Sequence, residues 1–344
     1  MTVAQHKHVA SLDGLRGLAA LGIVIGHTCG LWGIGRQTHL YIAVPFFFTL
    51  SGYVIARSYE HRLSTGMSLK RFAAIRLIRL YPMLFMSLII SAIIGFSFIE
   101  VGMGLFFIPS LTAAALFPSN GPQWSLFMEL LGNAVHAIIM PILTDAVLVT
   151  IIALAFVAAL FTAHNNANFL IGWSAANFFG GVSIFALTYP IGILIFRLEK
   201  AGRLPEIKVP LLLIAGGYVL FSALPQTWTD PFRAYPDLLV SSIVLPLIVV
   251  FAIRATAPAW LARWCKVGGD LSYPVYIIHH PILVVLGVFV AKQGLAGIEK
   301  RIFALAVIFA ICAGAYALLK LYDEPIRKML SARLLHRKLT DQSL

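Results

Sequence analysis

Charged residues are scarce in this 344-residue sequence. Only 12% of the residues are Asp, Glu, Lys or Arg, whereas 60% are hydrophobic, and the mean hydropathy is +0.89. Soluble domains carry about 25% charged and about 45–50% apolar residues. The shortage of charge excludes a soluble domain and indicates that most of the surface faces lipid. We therefore expect a single transmembrane domain over residues 1–344, with a short basic cytoplasmic tail at 322–344 and no fused soluble domain.

Cysteine is also rare. The chain has three, and their wide spacing argues against a metal cluster or a disulfide framework, so we expect small buried apolar residues at Cys29, Cys265 and Cys312. No H-x3-H pair or other Cys/His group is present, and we predict no metal site. The first ten residues lack the regions of a signal peptide. The first helix is therefore expected to act as its own insertion signal and to remain in the product.

Long hydrophobic runs are the main feature of the chain. A bilayer-spanning helix needs roughly 20 mostly apolar residues. Runs close to this length predict an all-α, polytopic membrane bundle of about ten transmembrane helices, at 12–30, 40–57, 79–99, 124–143, 146–163, 177–197, 209–224, 237–254, 271–291 and 301–321.

The positive charges are distributed unevenly between the two sides of this bundle. The formal net charge of +12 alone would allow a nucleic-acid binder. With the N-terminus inside, however, 21 of the 26 Lys and Arg residues fall on the inner side, which leaves outside only Arg36, Arg233, Lys292, Lys300 and Arg301. This asymmetry places both termini in the cytoplasm. We predict a multi-pass protein of the cell inner (plasma) membrane, with membrane lipids and not nucleic acid among its partners.

The first helix carries the most informative polar residues, Asp13, Arg16 and His27. Ionisable residues within membrane spans are expensive to bury and often functional. Arg16 and His27 are eleven residues apart, which brings them to within about 20° of each other around the axis and ~16 Å apart along it. The pair is therefore either functional or a combination of a surface anchor and a structural interhelical histidine.

The next two helices add small and basic residues. Ser51 and Gly52 interrupt an apolar run, which favours close helix approach at Gly52 and a hydrogen bond across helices from Ser51. The segment KRFAAIRLIRLYP contains Lys70, Arg71, Arg76 and Arg79. Arg76 and Arg79 share a helix face and could grip phosphates, or the four cations could anchor the chain to the inner leaflet.

The fourth and ninth helices supply further candidates. Glu129 follows Trp124 and Ser125, and a carboxylate in a membrane needs a partner, for which we expect His27 to serve. The ninth helix carries polar and histidine residues in SYPVYIIHHP, namely Tyr273, Tyr276, His279 and His280. Because neighbouring helical residues point in different directions, at most one of the two histidines is expected to line the same cavity as His27.

Several of these segments, in this order, resemble the acyltransferase 3 family of bacterial membrane O-acyltransferases. They are the first helix with its Arg16 and His27 spacing and its LDGLRGLAAL motif, then FFFTLSGYVI, RLIRLYP, WSLFME, SYPVYIIHHP and the closing Glu324-Pro325. The resemblance extends over about residues 10–330. Tyr53 replaces the usual Phe, and His280 occupies a position that is often aromatic.

The resemblance implies transfer of an acyl group, usually acetyl, from acyl-CoA to a hydroxyl, with His27, Arg16, Arg76 and Arg79 required. Our hypothesis is that Arg76 and Arg79 bind the CoA phosphates while Lys70 and Arg71 steer the donor. His27 then acts as general base, oriented by Glu129, or is itself acylated. The acceptor is a cell-envelope glycan, a lipid-linked sugar or another glycoside. Helices one, two, three, four and nine are expected to enclose the path.

Two other classes stay open. A proton-coupled transporter or lipid-handling protein could use His27, Glu129 and His279 as a relay, and it would not consume acyl-CoA. A non-catalytic scaffold would tolerate every polar substitution.

Overall fold

The structure is a computed structural model that describes residues 10–35, 38–225 and 233–335. Four of the cations that the sequence assigns to a side of the membrane lie outside these ranges, namely Lys7, Arg36, Arg337 and Lys338. Within them the chain is helical, and β-type pairing is limited to two isolated bridges, Thr38 with Pro225 and Pro210 with Thr256.

Thirteen α-helices follow one another in the described ranges. They are α1 Ala10–Trp32, α2 Ala43–Ser64, α3 Leu69–Ile93, α4 Phe98–Leu105, α5 Gln123–Ile139, α6 Asp145–Asn165, α7 Phe178–Lys200, α8 Leu211–Ala223, α9 Tyr235–Leu239, α10 Leu245–Ile253, α11 Ala259–Lys292, α12 Gly297–Leu318 and α13 Glu324–Leu335. Single π-helical turns, Val240–Val244 and Leu319–Asp323, join α9 to α10 and α12 to α13.

The predicted polytopic helical bundle is confirmed. Nine segments of the described chain are long and apolar enough to cross a membrane, and the predicted seventh helix is the short α8. At 1.5 Å per residue, its 13 residues extend about 20 Å, less than the roughly 30 Å of a bilayer core.

The short α8 nevertheless runs between the same two faces of the bundle as the longer helices. We call the face at which α1 begins the inner face, and the opposite one the outer face. Pro210, before α8, pairs with Thr256 beyond the inner end of α10, whereas Pro225, after α8, pairs with Thr38 beyond the outer end of α1. The described chain therefore begins and ends on the same face.

The third helix begins ten residues earlier than predicted. The hydropathy pattern predicts it at 79–99, but α3 spans Leu69–Ile93. The Ser68 side chain caps its first turn by accepting a hydrogen bond from the backbone N–H of Arg71, and Gly95, at φ 100°, follows its end. Arg76 and Arg79 consequently lie well within the helix, whereas the predicted bounds put Arg76 before it and Arg79 at its first residue, which corrects the prediction.

Glycines allow two pairs of helices to approach closely. A Cβ at Gly52 of α2 would lie 2.0 Å from the carbonyl oxygen of Tyr189 in α7, which confirms the predicted close approach there. A Cβ at Gly17 of α1 would lie 2.7 Å from the Cα of Gly268 in α11. The second contact matters most for function because it draws together the two helices that carry Arg16 and the histidines.

A proline shapes α11 near these histidines. Pro281 has no N–H, so it cannot donate the helical hydrogen bond to the carbonyl of Ile277. The side chain of Asn120, in the segment before α5, donates to that carbonyl instead at 2.8 Å. Asn120 is fully buried, and this bond ties the segment before α5 to the helix that carries the histidines.

The three cysteines are free. Cys265 is buried, as predicted, whereas Cys29 and Cys312 are half-buried.

Candidate active site

A cavity of about 140 Å³ lies between α1, α2, α3, α5 and α11. These are the first, second, third, fourth and ninth of the predicted transmembrane helices, the ones expected to enclose the donor path, but the cavity they line does not include His27. Its polar lining residues are Arg16, Ser51, Arg76, Arg79, Ser125, Glu129, Ser272, Tyr273 and Tyr276. The lining thus carries three guanidinium groups and one carboxylate.

Glu129 is held by arginine and serine. Its Oε1 accepts hydrogen bonds from Arg76 Nη2 at 2.7 Å and from Ser51 Oγ at 3.0 Å. The predicted contact with His27 is therefore wrong, whereas the predicted bond from Ser51 across helices is confirmed. The earlier start of α3 explains the difference, because it brings Arg76 to the same depth as Glu129. A permanently charged guanidinium balances a carboxylate in a membrane better than a neutral imidazole does.

Arg16 joins the beginning of α1 to α11. It donates to Asp13 Oδ1 at 3.3 Å, to the carbonyl of Gly269 at 3.4 Å and to Ser272 Oγ at 3.0 Å. Asp13 is buried, so its role in the structure is to balance Arg16. Arg16 also lines the cavity, and its charge therefore contributes to the field inside it.

Arg79 differs from the other two arginines of the cavity. It is exposed and lines the cavity, yet it forms no hydrogen bond or ion pair with any described side chain. Arg16, Arg76 and Arg327 of α13 repel it electrostatically, and the carboxylates of Glu129 and Asp323 attract it. The other three arginines each have a carboxylate partner, so Arg79 is the one whose charge is left for an anion to bind.

The two basic residues at the start of α3 lie apart from this cavity. Lys70 and Arg71 are exposed and are absent from its lining. They precede Arg76 by six and five residues, which corresponds to about 8–9 Å along the helix. That distance is compatible with steering of an anion and places them outside the binding cavity itself.

The histidines form a separate cluster at the α1–α11 contact. His27 Nδ1 lies 2.7 Å from His279 Nε2, and the two rings stack with centroids 5.0 Å apart. His279 is fully buried, while His27 is half-buried. Among the described residues, no three His, Cys, Asp or Glu side chains are arranged to hold a metal ion.

His280 also approaches His27, contrary to the expectation that only one of the adjacent histidines would. Its ring stands edge-on to His27 with centroids 5.4 Å apart. The close glycine contact between α1 and α11 explains this, because the ring of His27 reaches the seam and faces two successive positions of α11. No sequence pattern indicates this packing.

Two tyrosines of α11 line the arginine-lined cavity, and one of them also contacts a histidine. Tyr276 Oη is 2.6 Å from Ser125 Oγ, and its ring lies 6.1 Å from that of His279. Tyr273 donates to the carbonyl of Leu80 at 2.5 Å. Tyr276 lines the cavity and His27 does not, so the cavity ends one aromatic ring away from the histidine cluster.

Trp124 is not part of the cavity lining. Its ring packs edge-on against Phe48 with centroids 6.1 Å apart, and it lies over Gly172, where a Cβ would be 2.4 Å from Trp124 Cζ3. The structure thus gives Trp124 a packing role at the beginning of α5.

Two functional candidates escape prediction from the sequence. Arg327 counts there only as a charge of the basic tail, but α13 returns against α3 and brings it near Arg79, with its own charge paired to Asp323 at 2.9 Å. Asn120 does not stand out at all. Pro281 could have indicated that such a residue is needed, because a proline in a buried helix leaves one carbonyl without its helical hydrogen-bond donor.

Comparisons with known proteins bear on this site. Residues 9–320 match a family described as an acyltransferase domain, acyltransferase 3. Protein 2 in the picA locus of Rhizobium radiobacter is 34% identical over 152 residues, which are 37% of this chain and 79% of that protein. The peptidoglycan O-acetyltransferase OatA of Listeria monocytogenes is 33% identical over 89 residues, which are 25% of this chain and 14% of that protein. No solved structure gives a significant match.

Proposed function

The chain belongs to the acyltransferase 3 family, and from this premise we propose that it transfers an acyl group, in the first instance acetyl, from cytoplasmic acyl-CoA to a hydroxyl of a cell-envelope glycan or lipid-linked sugar. The protein is a multi-pass membrane protein, and we assign it to the cell inner membrane with its inner face in the cytoplasm. The observation that carries the proposal is the pairing of an arginine-lined cavity with a histidine dyad along the same two helices.

Donor binding is assigned to the cavity. The phosphates of acyl-CoA bind Arg79 and the neighbouring Arg16 and Arg76, because guanidinium groups bind phosphate oxygens through paired hydrogen bonds. The acyl-bearing arm of the donor then extends along α1 and α11 towards His27. Eleven residues separate Arg16 from His27, which is ~16 Å of helix, so the reacting thioester lies well away from the charged end of the donor.

Chemistry is assigned to His27. A histidine that is half-buried and fixed by a neighbouring group is suited to remove the proton of an acceptor hydroxyl. The hydroxyl oxygen attacks the thioester carbonyl, the C–S bond breaks, and CoA leaves as the thiol. Glu129 is no longer the orienting group in this scheme, because Arg76 and Ser51 hold it. Its role is to balance the charge of the arginines.

The nature of the acceptor is supported by one relative. The Listeria protein is named for O-acetylation of peptidoglycan, and an envelope glycan is a substrate class that reaches a membrane enzyme from the outer side. The transporter alternative has less support, since its relay needs Glu129 in contact with the histidines, whereas Glu129 is bonded to Arg76 and Ser51.

The proposal is tested in inside-out membrane vesicles, which present the cytoplasmic face to added acetyl-CoA and retain envelope acceptors. We expect thiol release together with O-acetyl groups in NMR spectra of the isolated glycans. His27→Ala should lower the rate by about 10²–10⁴-fold, the range of general-base catalysis. His61→Ala is the matched control because His61 is exposed at the end of α2. Vesicles that never consume acetyl-CoA, or His27→Ala vesicles as active as wild type, would refute the proposal.

A further inference from the structure

The hydrogen bonds of His279 determine which of its ring nitrogens carries a proton. Its Nδ1 lies 3.1 Å from the carbonyl oxygen of Val275. A carbonyl oxygen can only accept, so Nδ1 of His279 must be the donor and must carry hydrogen. The opposite tautomer would set a nitrogen lone pair against the oxygen lone pairs.

The same reasoning extends to His27. His279 is fully buried, and a neutral ring is the form that a membrane interior favours. A neutral imidazole carries one N–H, so Nε2 of His279 has a lone pair and accepts. The atom 2.7 Å away, His27 Nδ1, must then be the donor. Since His27 is also neutral before reaction, its Nε2 is left with an unshared lone pair.

We propose that His279 is a positioning residue, which holds His27 in the Nδ1-protonated tautomer and thereby makes Nε2 of His27 the base that receives the acceptor proton. This inference rests on the proposed function for its catalytic meaning. The chain of contacts runs from the Val275 carbonyl through His279 to His27. It gives a neutral imidazole the orienting task that a carboxylate performs in many hydrolases.

The step balances with these groups alone. The acceptor O–H bond breaks as an N–H bond forms at Nε2 of His27, and the oxygen forms a C–O bond with the thioester carbonyl. The C–S bond then breaks with its electron pair on sulfur, and sulfur takes the proton from Nε2 of His27. His279 remains neutral throughout and accepts the Nδ1–H bond in every state. A neutral partner avoids burying a carboxylate beside the histidines in the membrane interior.

Three substitutions separate this role from a merely structural one. Glutamine places its amide oxygen near the position of the His Nε2, whereas asparagine ends near Nδ1 and leucine has no acceptor. We expect His279→Gln to keep kcat within about tenfold of wild type. His279→Asn and His279→Leu should each lose about 10²–10⁴-fold in kcat, the range for losing a base or its tautomer holder. KM for acetyl-CoA should be unchanged in all three. A glutamine variant as inactive as the asparagine variant would overturn the proposal.

The tautomer of His27 can be measured independently of enzymatic activity. In wild-type protein labelled with ¹⁵N-histidine, His27 is assigned by the signals lost in His27→Gln, and its ring shifts show which nitrogen is protonated. We expect Nδ1–H and a bare Nε2, and His279→Leu should remove this preference. A resting His27 protonated at Nε2 would overturn the inference, even if every His279 variant failed to fold.

The two tests also distinguish the inference from the proposed function. Absence of acetyl-CoA cleavage by wild type would refute the function while leaving the tautomer measurable. Cleavage that requires His27 but is indifferent to His279→Leu would refute the inference while leaving the function supported.

Discussion

Arg79 offers the sharpest test of the cavity, because it is the cavity arginine without a described protein partner. In Arg79→Ala no hydrogen bond or ion pair of the described structure is lost. The fold should therefore be unaffected. Any loss of activity is then a loss of donor binding.

The size of that loss follows from the surroundings of Arg79. A hydrogen bond to a charged group contributes about 1.5–3 kcal/mol, and about 1.4 kcal/mol corresponds to a tenfold change in binding. Arg79 is exposed to water in the cavity, which screens its charge and selects the lower part of the range. We expect KM for acetyl-CoA to rise by about 10–30-fold, with kcat nearly unchanged, as for any contact made equally in the ground state and the transition state.

The assay compares two donors in inside-out vesicles, acetyl-CoA and acetyl-pantetheine, which has the thioester arm without the nucleotide phosphates. Wild type and Arg79→Ala should differ with acetyl-CoA and behave alike with acetyl-pantetheine. Arg263→Ala is the control, because Arg263 is an exposed arginine outside the cavity lining. An unchanged KM for acetyl-CoA, or an equal rise for both donors, would refute the assignment of Arg79 to the phosphates.

Two further predictions concern stability. Glu129→Gln should lower the free energy of unfolding by about 1–3 kcal/mol, because Arg76, which is 8% exposed, loses its ionic partner. Unfolding in increasing SDS measures it, and an unchanged midpoint would show that the pair is not needed. Gly52→Ala should cost about 1–3 kcal/mol because its Cβ would lie 2.0 Å from the Tyr189 carbonyl oxygen. Gly102→Ala is the matched control, with nothing within 4 Å of its Cβ, and equal midpoints for the two variants would contradict the packing argument.

Hydropathy predicted the bundle well because lipid imposes one requirement on every span, a long apolar helix with its backbone groups paired internally. Hydropathy placed the start of α3 too late because it treats any charged residue as lying outside the membrane. Arg76 and Arg79 make the first turns of that helix look polar, although Arg76 is buried and Arg79 lines the cavity. The local signal that corrects this is Ser68, a helix-capping residue directly before the true start.

The sequence could predict which helices line the cavity, whereas it could not predict the contacts between their side chains. The spacing of Arg16 and His27 depends only on the geometry of one helix, so the sequence could place them on one face. The partner of Glu129 depends on the register of α3 against α5, which no periodicity records. The proximity of His27 to both His279 and His280 depends on how closely Gly17 and Gly268 allow α1 and α11 to approach. Such distances are set by packing between segments remote in sequence.

The bond from Asn120 to the Ile277 carbonyl has an evolutionary consequence. The amide is needed at position 120 because Pro281 leaves that carbonyl without its helical donor. A related chain with a residue other than proline at position 281 would have no such requirement, and its position 120 could accept other residue types. The two positions, far apart in the sequence, should therefore change together among relatives. A chain that keeps the proline while losing a hydrogen-bond donor at position 120 should be rare.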